Sequence, residues 1–548
     1  WFNGEKLCGT TSLEVFATAI SSLPAGVTFC GHNVMYDLKM LSGWGITLPE
    51  SFTVNDSLLL ARLATPEVPD KGLKSYAKRY GLVFTDEHKS EDMAVLLEYC
   101  GKDSYSSYVI NEKLGATLDT NNRRLYNYYN SLALAFLSLE VAGLKTDKEY
   151  LHEQATILQA ELSSLAGKLP EGALTNDNVL RNYVLNRYTE QELKYLSRTK
   201  EGLLSIDADV LRKLPRQTQT FKDVLYARET HDYWKLYVDR PLHIADSSGF
   251  MYPQYKILVP KTHRRSTEPA IQNWPGKSRR CFISRFKGGK IISADFAQLE
   301  ARLFGWQAGC KAFVEAMQEG GYISIASKVF GVEIAKGTKE YTLTKSTILA
   351  VLYNMSIGLY RYKMKQDHDI KITKFEAEQT FDKFFGAFPE IYTERERRKK
   401  YARDNGCCSN EFGIRIPIFY PPADIGLEGY TWAVKKAENV AINYPTQSAA
   451  SVVTGAALLA IHEWLLAKTG MSYMDYLAEI RQTTRGYAEQ SVLSGIPIIE
   501  CHDELVFDVR PEAVEWFVNV IQGLMEDNHW LHDLCVKQFD LPLRAEVS

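Results

Sequence analysis

The sequence predicts an α/β chain divided into several domains, and three observations predict it. Short runs rich in Val, Ile and Phe alternate with longer stretches of helical periodicity. Two of the short runs carry acids where an apolar strand ends: KIISADFAQLEARLFGW at 290–306 and IIECHDELVFDV at 498–509. At 548 residues the chain exceeds one compact core, and roughly three to four domains are expected.

Composition narrows the class. The chain is 45% apolar, and no apolar run approaches the roughly 18 residues that span a bilayer, so no membrane role is expected. The start, WFNGEKLCGTTSLEV, lacks the basic-then-apolar order of a secretion signal. Nine cysteines are scattered without C-x-x-C pairs, which argues against a disulfide framework or a zinc site; adjacent Cys407 and Cys408 read as packing residues. Net charge is only −3, so any polyanion partner must be met by local charge. Such charge gathers at 261–265 (KTHRR), 277–290 and 395–403, read as phosphate tracks or as solvated faces.

The acidic stretches carry the chemistry. Residues 498–509 read as two strands joined by a tight turn holding His502, Asp503 and Glu504. Burial beside a second carboxylate would neutralise these acids, so a charged Asp503 implies a bound cation or cationic substrate; a solvated hairpin tip is the plainer reading. Upstream, a strand ends at Asp295 and passes into a helix bearing Gln298, Glu300 and Arg302. Two such carboxylates suit a pair of Mg²⁺ ions about 3.5–4 Å apart, an arrangement for in-line displacement at phosphorus.

In chain order, Asn33, Asp37, Asp56, Tyr99 and Asp103 are polar residues set in apolar patterns, and Asp56 reads equally as a helix N-cap. A turn-rich boundary falls at 115–122, followed by a long helix ending at Gly143 and a helical, polar stretch at 151–238. Further on, Lys345, Leu349 and Tyr353 stand at i, i+4 and i+8 on one helix face. A cation on that face suits a bound triphosphate.

DFAQLEAR at 295–302 resembles motif A of the family A (Pol I-like) DNA polymerases, usually D-Y-S-Q-I-E-L-R, and HDELVF at 502–507 resembles their motif C. The resemblance implies an RNase H-like (DEDDy) 3′→5′ exonuclease domain at 1–118 and a right-hand polymerase. The linker helix and thumb would span 119–238, the palm with its antiparallel sheet 239–308 and 432–548, and the helical fingers 309–431. It implies that Asp295 and Asp503 hold two Mg²⁺, with Glu504 a supporting charge. Lys345 would bind the triphosphate and serve catalysis; Gln298, Glu300, Leu349, Tyr353 and His502 would line the nucleotide, with Glu300 excluding a 2′-OH. PKTHRRSTEPAIQNWP resembles the segment whose Arg, Gln and Asn contact DNA. Gln272 and Asn273 would lie in the minor groove, and Arg264 or Arg265 would be the arginine. Asn443 and Gln447 would lie near template and primer. Glu140 and Asp147 match a structural pair at the polymerase entry.

In the exonuclease pattern Asn33 and Asp37, then Tyr99 and Asp103, are matched, so Asp37 and Asp103 would hold Mg²⁺, Mn²⁺ or Zn²⁺. The first motif, D-x-E, is missing: either the chain lacks its beginning or the exonuclease is inactive. No 5′ nuclease segment is expected. Motif B is matched in part. Tyr341 stands for its Arg, with Lys339 or Arg361 as substitutes, and Asn354 stands for its Gly; in the helix that resembles the segment before motif C, Asn439 stands four residues before Asn443 where the family has an Arg, for which Lys435 or Lys436 could compensate. Leu349 and Tyr322 give the stretch a phage-like character, open to a modified-base preference. Primer-template DNA and dNTPs would be partners, with a helicase, primase or processivity factor in the (host) cytoplasm. A degradative phosphodiesterase and a non-catalytic DNA-binding subunit are the rival classes.

Overall fold

The computed structural model describes residues 12–548 apart from 83–89, 167–170, 175, 195, 200, 213, 215–217 and 421–426. It divides into two compact units. One holds the described residues up to Ala142 with Pro253–Gln272 and Phe286–Ser548; the other holds Gly143–Tyr252 and Asn273–Arg285.

In the first unit the two acidic stretches become neighbouring strands. Lys290–Phe296 and Glu504–Val509 lie side by side in a four-stranded antiparallel sheet, flanked by Gly495–Cys501 and Ala545–Val547. The β-branched and aromatic content suits a pleated, buried surface. Pro497, which cannot donate to a ladder, falls on the outer strand at a register shift. Behind the sheet, Thr120–Ala142 is buried on nearly every face from Leu125 onward, as a helix apolar all round must be. It stops at Gly143, whose φ of 58° suits glycine. Glu140 is structural, as its pattern implied: it accepts from Tyr255 N at 2.7 Å and Lys39 Nζ at 3.0 Å.

Against the expectation from the sequence, one helix is long and apolar enough to cross a membrane. Leu427–Thr469 runs for 43 residues, and its most apolar window has a mean hydropathy of 1.5 and is 78% buried inside the protein. Interleaved Ala, Ser and Thr hid the run from a count of consecutive apolar residues, and the burial makes it a core helix.

Near the N-terminus Val27–Gly31 pairs in parallel with Phe52–Asp56, the two-stranded sheet found among the described residues there. Asp56 caps Ser57–Ala64: its carboxylate accepts from the backbone N–H of Leu58, Asn33 and Val34 at 2.8–3.0 Å. The capping reading of Asp56 therefore stands.

The basic run 395–403 lies on a helix whose cations have carboxylate neighbours. Within Pro389–Asn405 its charges are largely neutralised by neighbours: Arg398 and Arg397 meet Glu394, Lys399 meets Glu396, Lys400 meets Asp404 and Arg403 meets Glu438. Helical spacing pairs most of these groups, and Glu438 from another helix meets Arg403.

The second unit is mainly helical, with Leu180, Val184, Phe221 and Val224 in its core. Trp274 is a packing residue, stacked on Phe282 at 5.3 Å. Asn273 belongs to this unit and is exposed.

Two expected DNA contacts are corrected by burial. Arg265 and Glu500 form an ion pair whose side chains are 1% and 2% exposed, and Arg265 also donates to Ser451 O at 2.6 Å. Gln272, likewise buried, donates its amide to Glu500 Oε2 at 3.2 Å, and Glu500 N donates to Tyr255 Oη at 3.0 Å. A charge as deep as Glu500 needs partners, and Arg265 and Gln272 supply them. Replacing Arg265 by Met strands Glu500 and is expected to cost about 3–5 kcal/mol, seen as a lowered urea midpoint. Arg264→Met, at a more open site, should cost distinctly less.

Candidate active site

The sheet register builds the site. Glu504 lies directly across from Asp295, and Asp503 occupies the turn just before it. Phe296 N donates to the Asp503 carbonyl at 3.1 Å, tying the two acidic corners together through the backbone. Ser293, two residues before Asp295 and so on the same face, donates to Glu504 Oε1 at 2.7 Å. On the other side of the central strand Glu546 faces Asp295. Strand parity in the closing LPLRAEVS could have found Glu546; the sequence reading did not.

Like charges gathered in this way resist ionisation. Partial burial, then Asp503, Glu504 and Glu546, raise the Asp295 pKa from 3.8 to about 7. Asp503 is also raised, chiefly by burial, with Glu300 and Glu504 adding to the effect and Arg264 opposing it. A set of hard carboxylate oxygens that repel one another fits a divalent cation, which would return both acids to their charged form. Among the described residues no group of three or more His, Cys, Asp or Glu is placed to hold a metal, so Asp295 and Asp503 would act as a pair.

The next helix, Leu299–Gln307, starts from Gln298 in a left-handed conformation (φ 55°). This turn brings Glu300 back toward the acids. Glu300 is no free surface acid: its side chain is 18% exposed, it pairs with Arg264, and it accepts from Tyr353 Oη at 2.9 Å. Gln447 Nε2 lies 3.5 Å from the same hydroxyl. Of the two candidate arginines it is Arg264 that reaches this site. Lys345 and Leu349 project from the exposed face of Lys339–Leu352, and Tyr353 sits just past its end as the C-cap. Lys345 Nζ lies 5.9 Å from the Tyr322 ring centre. His502 is exposed at the tip of the acidic turn with a φ of 63°.

Among the buried polar atoms of the described residues that lack a hydrogen-bond partner are Gln298 Oε1 and Asn443 Nδ2. Each costs about 1–3 kcal/mol left so, a cost that a bound ligand would relieve.

Two of the departures from the family pattern, Asn354 and Asn439, meet one another. Asn354 takes the left-handed backbone (φ 48°) that glycine would take, and its side chain is held at both ends. It donates to Asn439 Oδ1 at 2.8 Å and accepts from Arg395 at 2.6 Å. Arg395 thus donates into the Asn354–Asn439 pair. Arg361 donates to Ile372 O at 2.9 Å and Lys339 approaches Glu376 at 3.9 Å, so both proposed substitutes for the motif B Arg have partners of their own.

The N-terminal candidates form a separate set. Asp37 is raised by burial and by neighbouring Asp56. Asn33 precedes its helix in a left-handed conformation. Tyr99 hydrogen-bonds Asp103 and lies under Lys74 at 5.2 Å.

With this geometry in place, comparison with known proteins is informative. The sequence profile of DNA polymerase family A matches residues 142–548, well over half of the chain. The chain belongs to DNA polymerase family A. It is 24% identical over 527 residues to DNA polymerase I of Chloroflexus aurantiacus, covering 90% of this chain and 52% of the relative. To the thermostable DNA polymerase I of Thermus aquaticus it is 25% identical, covering 92% and 55%. The chain spans about half the length of these relatives. A solved structure described as the POL domain of Pol1 from M. smegmatis in complex with DNA primer-template and dNTP shares the fold. Its TM-score is 0.74 at 21% identity, over 98% of this chain and 88% of that one.

Because the folded pKa of Asp295 lies above its unfolded value, ionisation works against folding. The contribution of Asp295 to stability is greatest below the unfolded value of 3.8 and is lost as pH rises toward about 7. In EDTA the melting temperature should fall between about pH 5 and about pH 7, and Asp295→Asn should flatten that fall. A slope of opposite sign that depends on Asp295 would contradict the electrostatic account.

Proposed function

We propose that this chain is a template-directed DNA polymerase that extends a primer 3′-OH with dNTPs by two-metal phosphoryl transfer. The observation that carries this reading is the convergence of Asp295, Asp503 and Glu300 at one corner of the sheet, with Tyr353, the C-cap of the helix that bears Lys345 and Leu349, hydrogen-bonded to Glu300. Asp295 and Asp503 would hold two Mg²⁺, which when bound lower the pKa of the attacking hydroxyl and neutralise the leaving pyrophosphate. Glu504, fixed by Ser293, adds negative charge beside them. Lys345 would meet the triphosphate as a point charge, with Gln298 and His502 beside the nucleotide. Glu300, held between Arg264 and Tyr353, would form a fixed floor under the sugar, where a 2′-OH collides. Asn443 and Gln447 would face template and primer.

The finer parts of the reading are a phage genome as the replicated DNA and 3′→5′ proofreading by Asn33, Asp37, Tyr99 and Asp103, with metal on Asp37 and Asp103. The Tyr99–Asp103 hydrogen bond supports proofreading. Shortening of a mispaired primer by the wild type, but not by Asp103→Ala, is its assay.

For polymerisation, Asp503→Asn is expected to reduce primer extension more than about a hundredfold while primer binding stays within a few fold. Extension at the wild-type rate would end the two-carboxylate assignment. Glu300→Ala should lower the preference for deoxy- over ribonucleotides about tenfold or more, measured as the ratio of kcat/KM values. An unchanged ratio would move sugar sensing elsewhere.

A further inference from the structure

We propose that Arg395, a buried arginine, is a positioning residue that sets the sugar selectivity of the site by fixing Tyr353 through the side chains of Asn354 and Asn439. The proposal rests on the polymerase reading and deepens it. All of the residues involved lie in the first compact unit.

Tyr353 is held at its tip. Its hydroxyl donates to Glu300 Oε2 at 2.9 Å, and Gln447 Nε2 lies 3.5 Å from the same oxygen. A ring anchored there alone can still swing about that point, because the helix that carries it, Lys339–Leu352, has ended one residue earlier. The next residue fixes the other end. Consecutive Cα atoms stand about 3.8 Å apart across a planar trans peptide, so whatever holds Asn354 holds the carbon from which the Tyr353 ring hangs. Asn354 is held twice: its amide nitrogen donates to Asn439 Oδ1 at 2.8 Å, and its amide oxygen accepts from Arg395 Nη2 at 2.6 Å. Asn439 and Gln447 both belong to Leu427–Thr469. One helix therefore meets Tyr353 at the tip of its ring and Asn354 at the base.

Arg395 is costly where it stands. It opens the run 395–403, whose other cations meet carboxylates, yet it is 8% exposed and donates to a neutral amide. Its Nε is buried without a hydrogen-bond partner, and the guanidinium lies 5.4 Å from the Phe385 ring centre. Withdrawing a guanidinium from water costs more than one neutral amide offsets, although the nearby C-terminal end of Lys339–Leu352 favours positive charge. Such a contact adds little stability. What it supplies is direction, since the planar guanidinium presents its N–H groups in a rigid fork. The residue at 354 points the same way. A bend with φ 48° would suit glycine, which adopts it without strain, but only a side chain can be tethered. The tether ends at the sugar floor: Tyr353 and Arg264 hold Glu300 between them, so a shift of Tyr353 at its base shifts the carboxylate that would exclude a 2′-OH.

The test begins with Arg395→Met, which keeps most of the volume and removes the donor. Its melting temperature should stay level or rise. In single-nucleotide insertion the KM for the correct dNTP should rise about fivefold with kcat within about twofold, and the deoxy-over-ribo ratio of kcat/KM should fall about threefold or more. Asn354→Gly, which keeps the bend and removes the tether, should shift KM and the ratio alike, and the two changes together should do no more than either alone. Additive effects, an unchanged sugar ratio in Arg395→Met, or a loss that accompanies a lowered melting temperature overturn the proposal. Hydrogen exchange without substrate separates it from the polymerase reading. The amides of Tyr353, Asn354 and Met355 bond the carbonyls of Leu349, Val351 and Ala350, and in Arg395→Met they should exchange about tenfold faster. Unchanged exchange overturns the tether even if the wild type extends primers, whereas faster exchange in a protein that extends none counts against the polymerase reading alone.

Discussion

The arrangement depends on one constraint: a strand register that forces carboxylates together. Glu504 opposite Asp295, with Asp503 one residue earlier and Glu546 on the far side, is an unfavourable arrangement for an isolated protein. It persists because the backbone ladder and the apolar residues behind it fix each acid where it is. A single-residue slip would turn every one of these side chains to the opposite face. Local repulsion is thus held in place by a sheet too cooperative to relax, and that stored repulsion makes the corner a receptor for positive charge.

Beneath the corner lies the opposite solution to the same electrostatic problem. Glu500, three residues before Asp503, is also buried, yet it is neutralised from within by Arg265 and hydrogen-bonded by Gln272. Two acids on one hairpin therefore have different fates. The difference is whether the protein supplies the cation or leaves that to the solution.

Much of this was legible in the letters. The acidic turn, the strand ending at Asp295 and the helix beginning at Gln298 follow from periodicity and short-range spacing, and the structure carries them where expected. What could not be read was partnership across distance. Arg264 and Arg265 are equivalent as text, and only packing sends one to Glu300 and buries the other. The basic run on Pro389–Asn405 looked like a phosphate track because its carboxylate partners, three and four residues away, are visible only once the helix forms. Asn354 and Asn439 read as two independent losses, 85 residues apart; in the fold they are one hydrogen-bonded unit completed by Arg395.

Three corners of the site, at Gln298, Asn354 and His502, place residues with a Cβ in the left-handed region. Each such residue costs roughly 1 kcal/mol or more relative to relaxed backbone. Glycine at any of them would ease the chain and widen the range of shapes that the corner can sample. Laboratory selection for heat tolerance alone would thus be drawn to these three positions, and its winners would be sturdier proteins with looser, slower sites. Resistance to unfolding and readiness for chemistry are in opposition here at identifiable bends of the main chain.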